Sequence, residues 1–426
     1  MLLGLALGAV AVAASWWRAG GSSLDGGDAV DAAARLAGLL AGYTGVVMLA
    51  LMARAPLVER TVGSTRLART HALGGRLVVL LMSVHALLAT AHWAEGASAA
   101  QWRGLAASLV RHVLLLEAVI AFLLLLGAAV ASIRSARRRL GYTAWHAVHT
   151  TTYAATALGL GHQLVGPDLA GRPFARAAWC ALYAVTALLL VRYRLVEPLR
   201  AARRHRLRVA GVVPEGPGVV SVLITGQHLA ELRSEAGQFF RWRFLAAGLW
   251  WTANPYSLSA PPRGDSLRIT VKALGPHSRA LARLRPGTRV WARGPYGGLT
   301  GRSGPPARKV LLLGGGIGIA PLRALFETLP GEVTLIYRAR RAEDLVLRSE
   351  LDAIAATRAA RVIYAIDGSG ADSLPLTGRA LRAAVPDIAD HVVYLAGPPG
   401  MTAAAERSLR RAGVPRRHVY CEALEI

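Results

Sequence analysis

The sequence predicts a multi-domain membrane protein in three parts: an all-α six-helix transmembrane bundle over residues 1–198, an antiparallel β-barrel over 199–304, and an α/β domain over 305–426. Three observations predict it. The chain is 53% hydrophobic with a mean hydropathy of +0.37, and its apolar residues gather into long runs in the first half, as membrane spans require. Short alternating apolar runs broken by Pro and Gly come next, the pattern of a small antiparallel barrel. Beyond them a wholly apolar strand runs into a glycine-rich turn and a helix start.

The bundle rests on six apolar segments, roughly 1–17, 36–53, 71–93, 109–133, 144–165 and 174–196. The first is near the short limit for a span. Without a basic start it reads as a retained anchor in preference to a signal peptide. Loop charge sets the orientation. The loops at 54–70 and 134–142 carry Arg54, Arg60, Arg66 and Arg69, and Arg134, Arg137, Arg138 and Arg139. The alternate loops are poorer in arginine and hold Asp25, Asp28, Asp31, Glu95 and Asp168. The positive-inside rule then puts both chain ends and everything after residue 196 in the cytoplasm of a multi-pass cell-membrane protein.

A net charge of +25 raises the question of nucleic acid. Only Lys272 and Lys309 are lysines, so the arginine excess is a habit of the whole chain, and no nucleic-acid partner is expected. Cys180 and Cys421 are too far apart in sequence to imply a disulfide framework.

Histidines in the apolar segments carry the chemistry, because ionisable groups inside a bilayer are costly. His71 and His85 are fourteen residues apart, about 21 Å along a helix and only ~40° short of four full turns. His149 and His162 repeat the pattern at thirteen residues, which leaves them ~140° out of phase on an ideal helix. Gly159 and Gly161 lie between them and could admit a distortion. Two helices so equipped can hold two haems one above the other, each iron gripped by two neutral imidazoles. The expected pairs are His71 with His149 at the inner side and His85 with His162 at the outer side. His92 and Arg111 are candidates for the outer haem or an acceptor site. Arg76 could meet an inner propionate or snorkel. Glu117 lies deeper, with no role legible.

The barrel rests on runs at 219–226, 237–244, 267–274 and 289–295, preceded by a basic exit from the membrane at 199–211. Within it lies Asn254-Pro255-Tyr256-Ser257. A Tyr followed by a small hydroxyl can lay its ring against a flavin and donate a hydrogen bond to it. Lys272, Gly275 and Ser278 mark a glycine turn able to offer backbone N–H groups to a pyrophosphate.

The last domain begins at Lys309 with a buried strand, then Gly314, Gly315, Gly316, Gly318 and Pro321. Glycine lets the backbone approach a dinucleotide, and the helix start favours its charge. This predicts a Rossmann-like nucleotide domain. The next strand, 333–340, ends on Arg338, Arg340 and Arg341 without an acidic ribose partner, which favours NADPH over NADH. A third strand, 391–397, runs into Gly397-Pro398-Pro399-Gly400-Met401, another tight turn at a strand end.

These motifs, in this order, resemble the ferric reductase and NADPH oxidase superfamily, over nearly the whole chain from about residue 36. The resemblance implies two b-type haems on His71, His149, His85 and His162, FAD on Asn254 to Ser257, and NAD(P)H on Gly314 to Pro321 and Gly397 to Met401. Two departures fall at the implied hydride-transfer site: Ala396 stands where the family usually has Cys, and the chain ends Cys421-Glu422-Ala423-Leu424-Glu425-Ile426 where it usually has an aromatic. The implied activity carries electrons from cytoplasmic NAD(P)H through FAD and the haems to oxygen or a ferric chelate outside. The competing expectation is a membrane-anchored flavin reductase, or a metal-binding membrane protein, with no haem relay. Oligomeric state is not legible.

Overall fold

The computed structural model describes residues 2–18, 27–94, 113–302, 304, 308–358, 360–367 and 374–423. The chain divides into two compact units, Met1–Glu197 and Pro198–Ile426.

The first unit is helical. Its helices are α1 (Leu2–Arg18), α2 (Gly27–Leu51), α3 (Pro56–Val62), α4 (Ser64–Ala94), α5 (Val113–Ser132), α6 (Arg134–Val165) and α7 (Pro173–Leu190). Helix α7 passes through a π-helical stretch, Val191–Val196, into α8 (Glu197–His205). Four apolar helical stretches are long enough to cross a membrane: Ala29–Leu51, Arg66–Ala94, Val113–Ser132 and Pro173–His205. Their outward faces are apolar, with Leu73, Leu87, Leu123 and Leu188 all well exposed, the inverse of a soluble bundle and suited to lipid. Helix α6, which carries His149 and His162, is not among the four; Arg, His and Thr dilute its apolar run.

Small residues set how closely these helices approach. A Cβ added at Gly74 would lie 2.2 Å from Met48 Sδ, so α2 and α4 touch there through glycine. Inside α6 the one non-helical residue is Gly141, at φ +70°, which separates an arginine-rich first turn from the histidine-bearing remainder. Gly159 and Gly161 do not break the helix, so the distortion that the sequence allowed is not present.

The second unit holds eleven strands in three sheets among its described residues. Six form two three-stranded antiparallel sheets, β1-β2-β5 and β4-β3-β6. The strands are β1 (Arg208–Gly216), β2 (Val219–Thr225), β3 (Phe239–Phe244), β4 (Asn254–Ser257), β5 (Ser266–Lys272) and β6 (Val290–Tyr296). Two isolated bridges, Arg208 to Arg289 and Leu258 to Ile269, link the sheets. Alternate residues Phe240, Trp242 and Phe244 of β3 point into one shared core with Ile224, Leu258 and Ile269. The stretch 199–211, expected to be only a basic exit, is helix as far as His205 and strand from Arg208.

The remaining five strands form a parallel sheet of order β11-β10-β7-β8-β9. They are β7 (Lys309–Gly315), β8 (Glu332–Ala339), β9 (Arg361–Ile366), β10 (Val392–Gly397) and β11 (Val419–Ala423). Strand β7 is buried on both faces: Leu312 packs into one apolar cluster, Leu311 and Leu313 into another. The chain steps from β7 outward to β9 and then returns to β10 on the other side. The crevice between the carboxyl ends of β7 and β10 is therefore the switch point where such sheets bind ligands.

Candidate functional site

In the first unit α4 and α6 bring four imidazoles together as two pairs. The ring centroids of His71 and His149 are 5.9 Å apart, and those of His85 and His162 are 6.3 Å apart. Two imidazoles bound end-on to one metal, with metal–nitrogen bonds of about 2.0–2.1 Å, place their centroids roughly 6–6.5 Å apart. Both pairs fit that distance. Among the described residues no group of three or more His, Cys, Asp or Glu could cage an ion. Two imidazoles suit an iron whose other ligands come from a porphyrin.

Each ring is held differently. His85 Nδ1 lies 2.8 Å from the Ala34 carbonyl oxygen on α2, so Nδ1 carries the proton and Nε2 keeps its lone pair, the arrangement a metal ligand needs. Gly38, one turn along α2, makes room: a Cβ there would lie 2.8 Å from the same nitrogen. Beside His162, Gln163 Oε1 accepts from Trp179 Nε1 at 2.7 Å and from Tyr183 OH at 3.1 Å. His149 stacks on Trp145, with centroids 5.0 Å apart and planes at 19°. Trp145 Nε1 donates to Ser132 Oγ at 3.2 Å, and that oxygen makes a long 3.4 Å contact with His149 Nδ1. His71 has the Met48 carbonyl of α2 as its backbone neighbour, although Nδ1 makes no bond within ordinary limits among the described residues. His92 and Arg76 are exposed on α4. Glu117 lies against Gly161, its Oε2 3.5 Å from where a Cβ would stand. Arg111 falls outside the described residues.

In the second unit Asn254, Pro255, Tyr256 and Ser257 form β4. The Tyr256 carbonyl accepts from Trp242 Nε1 at 2.9 Å, which fixes the strand to the core. The Tyr256 hydroxyl lies 3.2 Å from His277 Nδ1, and burial pushes its pKa up to about 12. The Gly275 turn is not as open as the sequence suggested. Ser278 Oγ accepts from the N–H groups of Leu274 and Gly275, both at 2.9 Å, so those donors are spent within the turn. Lys272 Nζ lies 3.5 Å from Asp344.

The glycine motifs meet at the switch point. Ala396 and Gly314 are register partners in β10 and β7. A Cβ on Gly318 would sit 2.3 Å from the Ala396 carbonyl oxygen, and one on Gly315 only 2.0 Å from Met401 Sδ. Gly316 adopts φ +53°, a conformation that favours glycine. Gly397 and Pro398 lead into the helix Pro399–Arg411, which includes Gly400, and Pro321 lies in the helix Ile319–Thr328. Arg338 is bonded to the Leu374 carbonyl and, at 2.6 Å, to Asp367. Glu422 is the register partner of Ala396. Its Oε2 is buried without a hydrogen-bond partner among the described residues, and burial pushes its pKa up to about 7. In the sequence alone the chain end shows only the missing aromatic. His277, Gln163 and Ser132 carry no sequence signal, because they share no recognisable spacing with the residues they touch.

Residues 37–160 match the family "Ferric reductase like transmembrane component", and residues 312–407 match "Oxidoreductase NAD-binding domain". Ferredoxin–NADP reductase B of Sorangium cellulosum is 32% identical over 188 residues, 39% of this chain and 76% of that protein. The ferredoxin reductase component of 3-ketosteroid-9-alpha-monooxygenase of Mycolicibacterium smegmatis is 31% identical over 239 residues, 53% of this chain and 67% of that protein. A probable dihydroorotate dehydrogenase B (NAD(+)) electron transfer subunit of Thermococcus kodakarensis is 46% identical over 83 residues, 18% of this chain. The chain spans only 34% of that subunit's length.

Proposed function

Because this chain belongs to the ferric reductase and NADPH oxidase superfamily, a ferric-reductase-like transmembrane component joined to a ferredoxin-reductase-type FAD and NAD(P)H module, we propose that it carries electrons across a membrane from cytoplasmic NAD(P)H to a small acceptor on the other side, oxygen or a ferric chelate. The observation that carries this reading is the pairing of His71 with His149 and of His85 with His162 at distances that fit two imidazoles on one metal. When bound, FAD and two b-type haems supply the change from paired to single electrons and the redox centres that lipid lacks.

The residues of the chain do the rest. His71, His149, His85 and His162 hold the irons. The Ala34 carbonyl fixes the tautomer of His85. Tyr256, held by Trp242 and His277, presents its ring to the flavin beside Asn254, Pro255 and Ser257. Gly314, Gly315, Gly316 and Gly318 admit the nucleotide pyrophosphate to the switch point, across from Gly397 and Met401. Arg338, committed to Asp367 and the Leu374 carbonyl, borders the strand end where the ribose would lie.

An absorption spectrum of the purified protein tests the reading. A Soret band that falls in His85→Ala and His162→Ala is the expected result. No Soret band, or one indifferent to these substitutions, would favour an anchored flavin reductase. NADPH oxidation followed with a superoxide trap, with and without a ferric chelate, identifies the acceptor.

A further inference from the structure

Next to β4 one imidazole is built into the fold with half of its hydrogen-bonding capacity left over. His277 lies in the short helix Pro276–Ala280 that follows β5, 3.2 Å from the Tyr256 hydroxyl through Nδ1. The two rings are nearly parallel, at 28°. Its Nε2 is buried and has no partner among the described residues. A buried nitrogen without a partner is costly and asks for an explanation. Ser278 cannot serve it or a ligand, because its oxygen already accepts from two backbone N–H groups of the same turn.

We propose that His277 is a flavin-nucleotide-binding residue, its Nε2–H donating to an oxygen of the ribityl-phosphate chain. The proposal rests on the reading of Asn254–Ser257 as the flavin segment. The Tyr256 hydroxyl, 3.2 Å away, can give its proton to Nδ1. A neutral imidazole that accepts at Nδ1 carries its proton on Nε2, and burial favours the neutral ring here. Tyr256 and His277 thus form one unit: the phenol places the ring and sets which nitrogen donates. An oxygen-rich ligand chain passing the Gly275 turn meets a fixed donor there.

The test uses the full chain in detergent, stripped of flavin and titrated back with FAD, FMN or riboflavin by flavin fluorescence. His277→Met keeps bulk but has no donor, and His277→Gln keeps an N–H. The expected result is FAD affinity about tenfold weaker in His277→Met and within about threefold of wild type in His277→Gln. A loss for FAD and FMN but not riboflavin assigns the contact to phosphate; an equal loss for all three assigns it to a ribityl hydroxyl. Tyr256→Phe, which removes the proton that sets the tautomer, weakens FAD binding by a smaller factor. His277→Met that binds FAD as tightly as wild type overturns the proposal. Wild-type protein that takes up no flavin would instead overturn the flavin reading itself.

Discussion

A carbonyl of α2 holds the ring of His85 closely; at His149 an indole and a hydroxyl lie against the ring. In the pair of His85 and His162 the first ring is fixed by a 2.8 Å contact to the Ala34 carbonyl, and its partner adjoins a Gln163 locked by Trp179 and Tyr183. In the second pair His149 is held chiefly by its stack on Trp145, itself covered by the Arg137 guanidinium at 4.3 Å, and His71 faces the Met48 carbonyl of α2 more loosely than His85 faces Ala34. The α2 backbone therefore faces both α4 rings, closely at His85 and more loosely at His71, and at His149 stacking on an indole takes over. Backbone hydrogen bonding fixes a tautomer and cannot be mutated away directly, whereas packing fixes an orientation and leaves the proton free to choose.

The difference can be broken from either side. His162→Ala removes a proposed haem ligand outright, and electron delivery across the membrane should drop on the order of a hundredfold or more, measured as acceptor reduction by protein in sealed vesicles. Gly38→Val is the next severe change. Its Cβ would lie 2.8 Å from His85 Nδ1, so that ring must leave its carbonyl. The expected result is loss of the His85–His162 haem signal with the other retained, read from the low-spin haem spectrum. Loss of both signals would show the pairs to be one cooperative unit. Gln163→Leu strips the acceptor from two buried donors, and the thermal midpoint should fall by roughly 2–8 °C. Ser132→Ala is the mildest. Its contact to His149 is 3.4 Å, near the limit of a hydrogen bond, so the midpoint potential of that haem should move by about 20–60 mV at most. A larger shift would mean that the hydroxyl, and not the indole, governs this ring.

How far the sequence could be read follows from the same contrast. Spacing along one helix is written in the chain, so the fourteen residues between His71 and His85 predict their shared face directly. The thirteen between His149 and His162 do not, and the helix accommodates both with no break at Gly159 or Gly161. Partners brought from other helices leave no local trace: nothing near residue 85 announces Ala34, and nothing near 163 announces Trp179. The parallel sheet was legible because Val310–Leu313 is apolar without alternation, as a strand buried on both faces must be. The opposite pairing of Ala396 and Glu422 was not, since it depends on the register of a strand reached only after the whole domain has closed. Ser278 shows a further limit. Its type suits a ligand contact, but its position three residues after Gly275 makes it the cap of its own turn.

Haem counted per chain in purified protein, wild type beside His71→Ala, His85→Ala and the double variant, bears most directly on the claim that four imidazoles form two metal sites. The account predicts about two, one, one and none. A wild-type count of zero, or counts that do not change with the histidines, would contradict it.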